Sequence, residues 1–70
     1  MSADNFVVVK RFGKNDFRWA MGFESTRGDY PLEFNSGSFK TPKEAADDAY
    51  GKYIIIEYGI EYDDSCLATE

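Results

Sequence analysis

The chain contains no histidine and only one cysteine among its 70 residues. Histidine is the side chain that general acid–base catalysis uses most often, so its absence argues against an enzyme. Cys66 cannot form an internal disulfide, and its acidic neighbours Asp63 and Asp64 are expected to raise the pKa of its thiol and weaken it as a nucleophile. We therefore expect a non-enzymatic protein that carries no cofactor.

Long apolar runs are also missing. No stretch approaches the roughly 18 apolar residues of a membrane-spanning helix, and the N-terminus shows no signal-peptide pattern. The acidic pairs at 47–48 and 63–64 lack the glycine-containing spacing of a calcium-binding loop, which favours solvated charge over a metal site. These features predict a protein of the reducing cytoplasm with no membrane contact.

Positive charge is scarce in the second half of the chain. The net charge is −5, but residues 1–43 carry seven Lys/Arg against five Asp/Glu, whereas residues 44–70 carry one Lys against eight Asp/Glu. The two parts therefore have charges of +2 and −7. An acidic protein is a poor candidate for sequence-independent binding to nucleic acid, and its acidic part is better suited to a basic protein surface.

Aromatic residues are abundant, with six Phe, five Tyr and one Trp. Each can bury roughly 150–250 Å², which compensates for a thin core in so short a chain. The length predicts one domain over residues 1–70, with flexible termini at 1–4 and 63–70.

The first part of the chain has the composition of β-strands. Residues 6–12 are β-branched and aromatic, residues 13–16 form a turn cluster, and residues 17–24 alternate apolar and polar side chains. A third strand is predicted over residues 30–39, which gives an antiparallel meander. The register of the first hairpin stays open: Val7 and Val9 could lie on the face opposite Trp19 or, after a one-residue change in the turn, on the same face.

A helix is predicted from Pro42 to about residue 58. Thr41 is a good N-cap, Pro42 suits the first helical position, and Glu44 completes the pattern of a capping box. An apolar stripe continues along the helix, and Gly59 is a plausible C-terminal cap. The stripe consists of Ala46, Ala49, Tyr53, Ile56 and Ile60. The predicted fold is α+β, with a three-stranded antiparallel sheet packed against one C-terminal amphipathic helix.

The order strand–strand–strand–helix, with Gly37 and Phe39 leading into Thr41 and Glu44, resembles the DNA-binding domain of plant ethylene-response factors. It is also similar to the arm-site-binding domains of phage integrases. Both resemblances imply a helix on one face of the sheet and a nucleic-acid-binding open face. The N-terminal residues 1–5 and the turn at 12–17 resemble small orphan proteins of phages and prophages, which implies a bacterial cytoplasm and an inhibitor of host defence, of the anti-CRISPR or anti-restriction type.

Two surfaces are candidate sites. Ile54, Ile55 and Tyr58 fall outside the apolar stripe, so they either contact another protein or are covered by the C-terminal tail. An acidic rim extends this region and could compete with nucleic-acid phosphates for a host protein, or could serve only solubility. The acidic rim comprises Glu57, Glu61, Asp63 and Asp64.

The alternative site is a basic cluster on the first hairpin, beside aromatic residues that could stack on bases. Its members are Lys10, Arg11, Lys14 and Arg18. The same residues could instead keep an exposed hairpin soluble. A structural homodimer, joined through Ile54 and Ile55 or through a strand edge, is a third possibility.

Overall fold

The computed structural model describes residues 4–67. Residues 1–3 and 68–70, which the sequence assigned to flexible termini, lie outside the described residues. The strands are β1 (Asn5–Gly13), β2 (Asp16–Phe23) and β3 (Ile60–Tyr62), and the helix is α1 (Pro42–Lys52). Short 3₁₀ helices occupy Glu24–Thr26 and Asp64–Leu67.

The three strands form a mixed sheet in the order β2-β1-β3. β1 and β2 pair antiparallel, as predicted, but β3 follows the helix and pairs with β1 in parallel. The α+β class with three strands and one helix is confirmed, whereas the purely antiparallel sheet and the C-terminal position of the helix are wrong.

The predicted strand over residues 30–39 is absent except for one bridge. Phe39 exchanges two backbone hydrogen bonds of 2.8 Å with Phe17 at the outer edge of β2. The preceding segment contains Pro31, which has no N–H to donate, and Gly37, whose φ of 98° is incompatible with an extended strand. The segment therefore has no continuous ladder; it contacts the sheet through the Phe39 bridge and through the Phe34 ring, whose centroid lies 5.4 Å from that of Phe12.

Helix α1 begins where the sequence predicts. The Thr41 hydroxyl accepts a hydrogen bond from the Glu44 N–H at 3.1 Å, and Pro42 occupies the first position. The helix ends at Lys52 rather than near residue 58, because Gly51 is a weak helix former and three consecutive β-branched residues begin at Ile54. Gly59, with a φ of 76°, turns the chain into β3 instead of capping the helix.

The core lies between α1 and one face of the sheet. Val9 pairs with Trp19 across the strands, so these side chains share the helix-facing side and settle the register that the sequence left open. An irregularity in the pairing between Arg11 and Gly13 sets this alignment. The buried members of the cluster are Val7, Val9, Phe17, Trp19, Ala45, Ala46 and Ala49.

The stripe predicted for the helix does reach this core, although α1 supplies only part of it. Ala46 and Ala49 are buried on the helix, whereas Ile56 and Ile60 pack against the cluster from the following loop and β3. Trp19 is held by the nearly perpendicular ring of Tyr53, with the ring centroids 5.8 Å apart, and by a 2.9 Å hydrogen bond from its Nε1 to the Asp48 carboxylate.

The segment after β3 packs on the centre of the sheet. The Ser65 hydroxyl accepts a hydrogen bond from the Arg11 N–H at 3.0 Å, and the Cys66 thiol donates to the Val9 carbonyl at 3.3 Å. The Asp63 N–H donates to the same carbonyl at 2.9 Å. Residues 63–67, which the sequence placed in the flexible C-terminal segment, thus contact β1 directly.

Two glycines provide a matched test of the packing around Phe6 and Leu32. A Cβ at Gly22 would lie 2.8 Å from the Phe6 ring and 2.9 Å from the Leu32 side chain, whereas one at Gly51 would meet no atom within 4 Å. We expect Gly22→Ala to lower the free energy of unfolding by about 1–3 kcal/mol. Gly51→Ala should raise it by up to about 1 kcal/mol, because alanine favours the helix. Urea unfolding followed by circular dichroism measures both, and equal midpoints would contradict the described contacts of Gly22.

Candidate functional site

The most exposed of the large hydrophobic side chains described, Ile54, lies in the loop between α1 and β3, residues 53–59, here called the α1–β3 loop. Ile54 is 98% exposed, Ile55 64% and Tyr58 53%. The 3₁₀ helix Asp64–Leu67 contacts β1, so this part of the tail does not cover them. Ile54 and Ile55 therefore form an exposed apolar patch on this loop.

A buried asparagine fixes the backbone of this loop. The side chain of Asn5, which is 5% exposed, donates to the Ile55 carbonyl at 3.0 Å and accepts from the Glu57 N–H at 2.9 Å. The Asn5 carbonyl also accepts from the Tyr58 N–H at 2.9 Å. The loop is therefore attached to the start of β1 on both sides of Ile56, whose side chain packs against the core.

Sequence reasoning missed Asn5 because asparagine is common in turns and at chain ends. The available signal was its position directly before an apolar strand, where a buried amide must find partners for both its donor and its acceptor.

The predicted acidic rim is divided among structural roles. The Glu57 carboxylate accepts a 2.7 Å hydrogen bond from the Asp4 N–H, and the Glu61 carboxylate pairs with Arg27. The Asp63 carboxylate accepts a 3.0 Å hydrogen bond from the backbone N–H of Ser65. Hydrogen bonds from Ser65 hold the pKa of Asp63 below its ordinary value. Asp64 is exposed at the start of the 3₁₀ helix.

Arg27 forms salt bridges with Glu61 of the acidic rim and with Glu24, which lies outside the rim. Its guanidinium contacts the carboxylates of Glu24 and Glu61 and lies 3.9 Å from the centre of the Phe6 ring. Hydrogen bonds from Glu24 and then Glu61 hold the pKa of Arg27 above its ordinary value. The predicted rim is thus partly neutralised at Glu61, so its negative potential comes mainly from the carboxylates without a cation.

The predicted basic cluster is separated by the alternation of β1. Lys10 and Arg18 pair across the strands on the face away from the helix, and both lie over the Phe12 ring, at 5.6 and 4.9 Å from its centre. Arg11 lies on the helix side, where its guanidinium donates to the carbonyls of Gly13 and Lys14. Arg18 also forms two 2.9 Å hydrogen bonds with Asp16.

Among residues 4–67, no three histidine, cysteine, aspartate or glutamate side chains come together as a candidate metal site. Burial, and secondarily the charge of Asp63, raises the pKa of the Cys66 thiol.

Within residues 4–67, no helix has the length and apolar character needed to cross a membrane.

Comparison with known proteins gives no relative. No protein-family model matches the chain, and neither the curated proteins nor the solved structures include a significant match.

Removal of the asparagine side chain should release the α1–β3 loop. We expect Asn5→Ala to lower the free energy of unfolding by about 1–3 kcal/mol, because two buried hydrogen bonds are lost. The amide of Glu57 should also exchange with solvent faster in native-state hydrogen exchange. Asn35→Ala is the control, since that exposed side chain bonds only the Glu33 carboxylate among residues 4–67. Equal stability of the two variants would show that Asn5 does not hold the loop.

Proposed function

We propose that the protein is a non-enzymatic protein-binding module that contacts its partner through the α1–β3 loop. The supporting observation is the 98% exposure of Ile54 beside Ile55 on a backbone fixed by Asn5. Burial of apolar surface stabilises a complex by about 25 cal/mol per Å², and a loop already held in place loses little entropy on binding. Both terms favour these isoleucines as the contact centre.

The charge of the chain suggests the class of partner. Residues 44–70 carry a net charge of −7, and Glu57 and Asp64 are exposed on either side of β3. A basic protein surface, such as one that normally holds nucleic-acid phosphates, would complement this charge. The finer proposal is an inhibitor from a phage or prophage that blocks a host nucleic-acid-handling defence complex, in which Glu57, Tyr58, Glu61, Asp63 and Asp64 also contact the partner.

Substitution of the two isoleucines tests the contact centre. The double change Ile54→Asn and Ile55→Asn should abolish specific capture of a bacterial protein by the tagged chain, with unfolding stability within about 0.5 kcal/mol of the parent because both side chains are exposed. Leu67→Asn is the matched control, since Leu67 is 78% exposed at a different place. Capture that survives the double change and is lost in the control would move the contact to the C-terminal segment.

The contribution of charge to partner binding can be tested separately from the apolar contact. Glu57→Gln together with Asp64→Asn should weaken capture by about three- to tenfold at low salt and flatten its dependence on salt. An unchanged affinity would leave the apolar contact as the whole interaction.

Sedimentation at several protein concentrations tests for a homodimer joined through the same isoleucines. The purified chain would then self-associate, and the Ile54→Asn and Ile55→Asn double variant would not.

A second candidate function is nucleic-acid binding through the sheet face away from the helix. The favouring observation is the pair Lys10 and Arg18, which lie over the half-exposed ring of Phe12. Such an arrangement could hold phosphates while the ring stacks on a base. Arg18 is already bonded to Asp16, and the acidic net charge of the chain opposes polyanions.

The nucleic-acid candidate predicts a gel shift at low salt, where phosphate attraction is strongest. Lys10→Gln with Arg18→Gln should then remove the shift, whereas Lys40→Gln with Lys43→Gln, at exposed positions before and within α1, should leave it. No shift of single- or double-stranded probes at low salt would eliminate this candidate. Arg11 is unsuitable for the test because its guanidinium holds the hairpin turn.

A further inference from the structure

The outer edge of β3 is unpaired. β3 is the last strand in the order β2-β1-β3, and β1 is the strand beside it. On either side of β3, the Gly59 carbonyl accepts from a β1 N–H at 3.1 Å, and the Asp63 N–H donates to a β1 carbonyl at 2.9 Å. Because backbone groups of successive strand residues point to opposite sides, those of Ile60 and Tyr62 point away from β1. Within residues 4–67, these outward groups have no backbone partner.

The residues along this edge are accessible. Tyr62 is 50% exposed and Glu61 is exposed, while the Ile60 side chain packs against the core. The 3₁₀ helix Asp64–Leu67 that follows bonds to β1, so the chain turns toward β1 and does not return along the open side of β3. Residues 57–67 also lack Lys and Pro, two residues that commonly protect strand edges. A strand edge of this kind can accept a further strand.

The charge near the beginning of β3 is negative. The Asp4 N–H donates to the Glu57 carboxylate at 2.7 Å, and the Asp4 carbonyl accepts from the Glu24 N–H at 2.8 Å. Arg27 forms salt bridges with Glu24 and Glu61. Within residues 4–67, Asp4 and Glu57 have no salt bridge. Four carboxylates against one guanidinium leave this bonded group with a net charge of −3, even after Arg27 is counted.

The exposed apolar patch of the α1–β3 loop lies just before this edge in the chain. Ile54 and Ile55 precede β3 in a segment that Asn5 bonds to the start of β1, and β3 continues along the same side of β1. A partner bound at the two isoleucines therefore has an open strand edge next to its contact. Since few backbone groups are available on so short a strand, side chains must supply the selectivity.

Resting on the proposed contact through the α1–β3 loop, we propose that the partner adds an extended segment to the open edge of β3, antiparallel to it, and that this segment carries an arginine or lysine. Ile60 and Tyr62 supply the backbone hydrogen bonds. The segment runs from Tyr62 toward Ile60, so its basic residue follows the paired residues and reaches Glu57. A second copy fits less well, because the register that uses both outward residues places the two Glu61 side chains opposite each other, and each chain has a net charge of −5.

Titration of the full chain with synthetic peptides tests the proposal. The probe is the acetylated and amidated peptide Val-Thr-Val-Thr-Arg-Arg, followed by amide NMR shifts of the protein. We expect shifts centred on Ile60 to Tyr62 and Glu57, with binding about fivefold or more weaker for the same peptide ending in Glu-Glu. Of two peptides N-methylated on alternate residues, one should lose binding and the other should retain it, because only one set of N–H groups faces β3.

Matched variants assign the binding to the edge and to its charge. Tyr62→Pro removes an outward N–H and should weaken peptide binding about tenfold or more, whereas Tyr62→Thr keeps that N–H and should bind within about threefold of the parent. Glu57→Gln should weaken binding of the arginine peptide by about three- to fivefold, whereas Glu44→Gln, at an exposed position of α1, should leave it unchanged.

The isoleucine double variant of the α1–β3 loop separates this proposal from the proposed function. It should bind the peptide normally while it loses capture of the partner. Partner capture that survives Tyr62→Pro at full strength would overturn strand addition and leave the proposed function intact. Equal binding of the Arg and Glu peptides, or shifts away from β3, would also overturn it. Shifts at Ile60 and Tyr62 that grow with protein concentration alone would identify a second copy as the occupant, with the same consequence.

Discussion

Strand β1 is the constraint on which the remaining structure depends, because β2, β3, α1 and the 3₁₀ helix Asp64–Leu67 all contact it. Val7 and Val9 are completely buried beneath α1, and Phe6 is buried on the opposite face of the sheet. Each such side chain contributes about 1.5–3 kcal/mol by leaving water. The backbone of β1 is saturated on both edges, by β2 on one side and by the α1–β3 loop, β3 and Ser65 on the other.

This arrangement explains why the accessible surfaces lie at the periphery. Asn5 fixes the α1–β3 loop to the start of β1, so Ile54 and Ile55 are presented on a held backbone instead of a loose connection. Residues 30–36 run beside β2 without a continuous backbone ladder, and clefts lined by Met21 and Glu33 lie along this segment.

The features predicted correctly from the sequence are the local ones. The first hairpin follows from alternation in residues 17–24, and the start of α1 follows from Thr41 and Pro42, whose effects act within one turn. The third strand could not be placed, because Ile60–Tyr62 is too short to have its own pattern and is extended through pairing with β1. The exposure of Ile54 was an open alternative, and the hydrogen bonds of Asn5 depend on residues 50 positions apart.

The parallel pairing of β3 has a consequence for the order in which the chain can fold. Val7 lies opposite Ile60, so the centre of the sheet is completed by a contact that spans 53 residues. During synthesis, β1 and β2 leave the ribosome first and can form their hairpin, while the other edge of β1 has no partner until β3 emerges. Closure of so long a loop costs entropy that only the assembled core returns, which makes docking of β3 a late event. A nascent chain that stalls before Ile60 would display the unpaired side of β1 to chaperones.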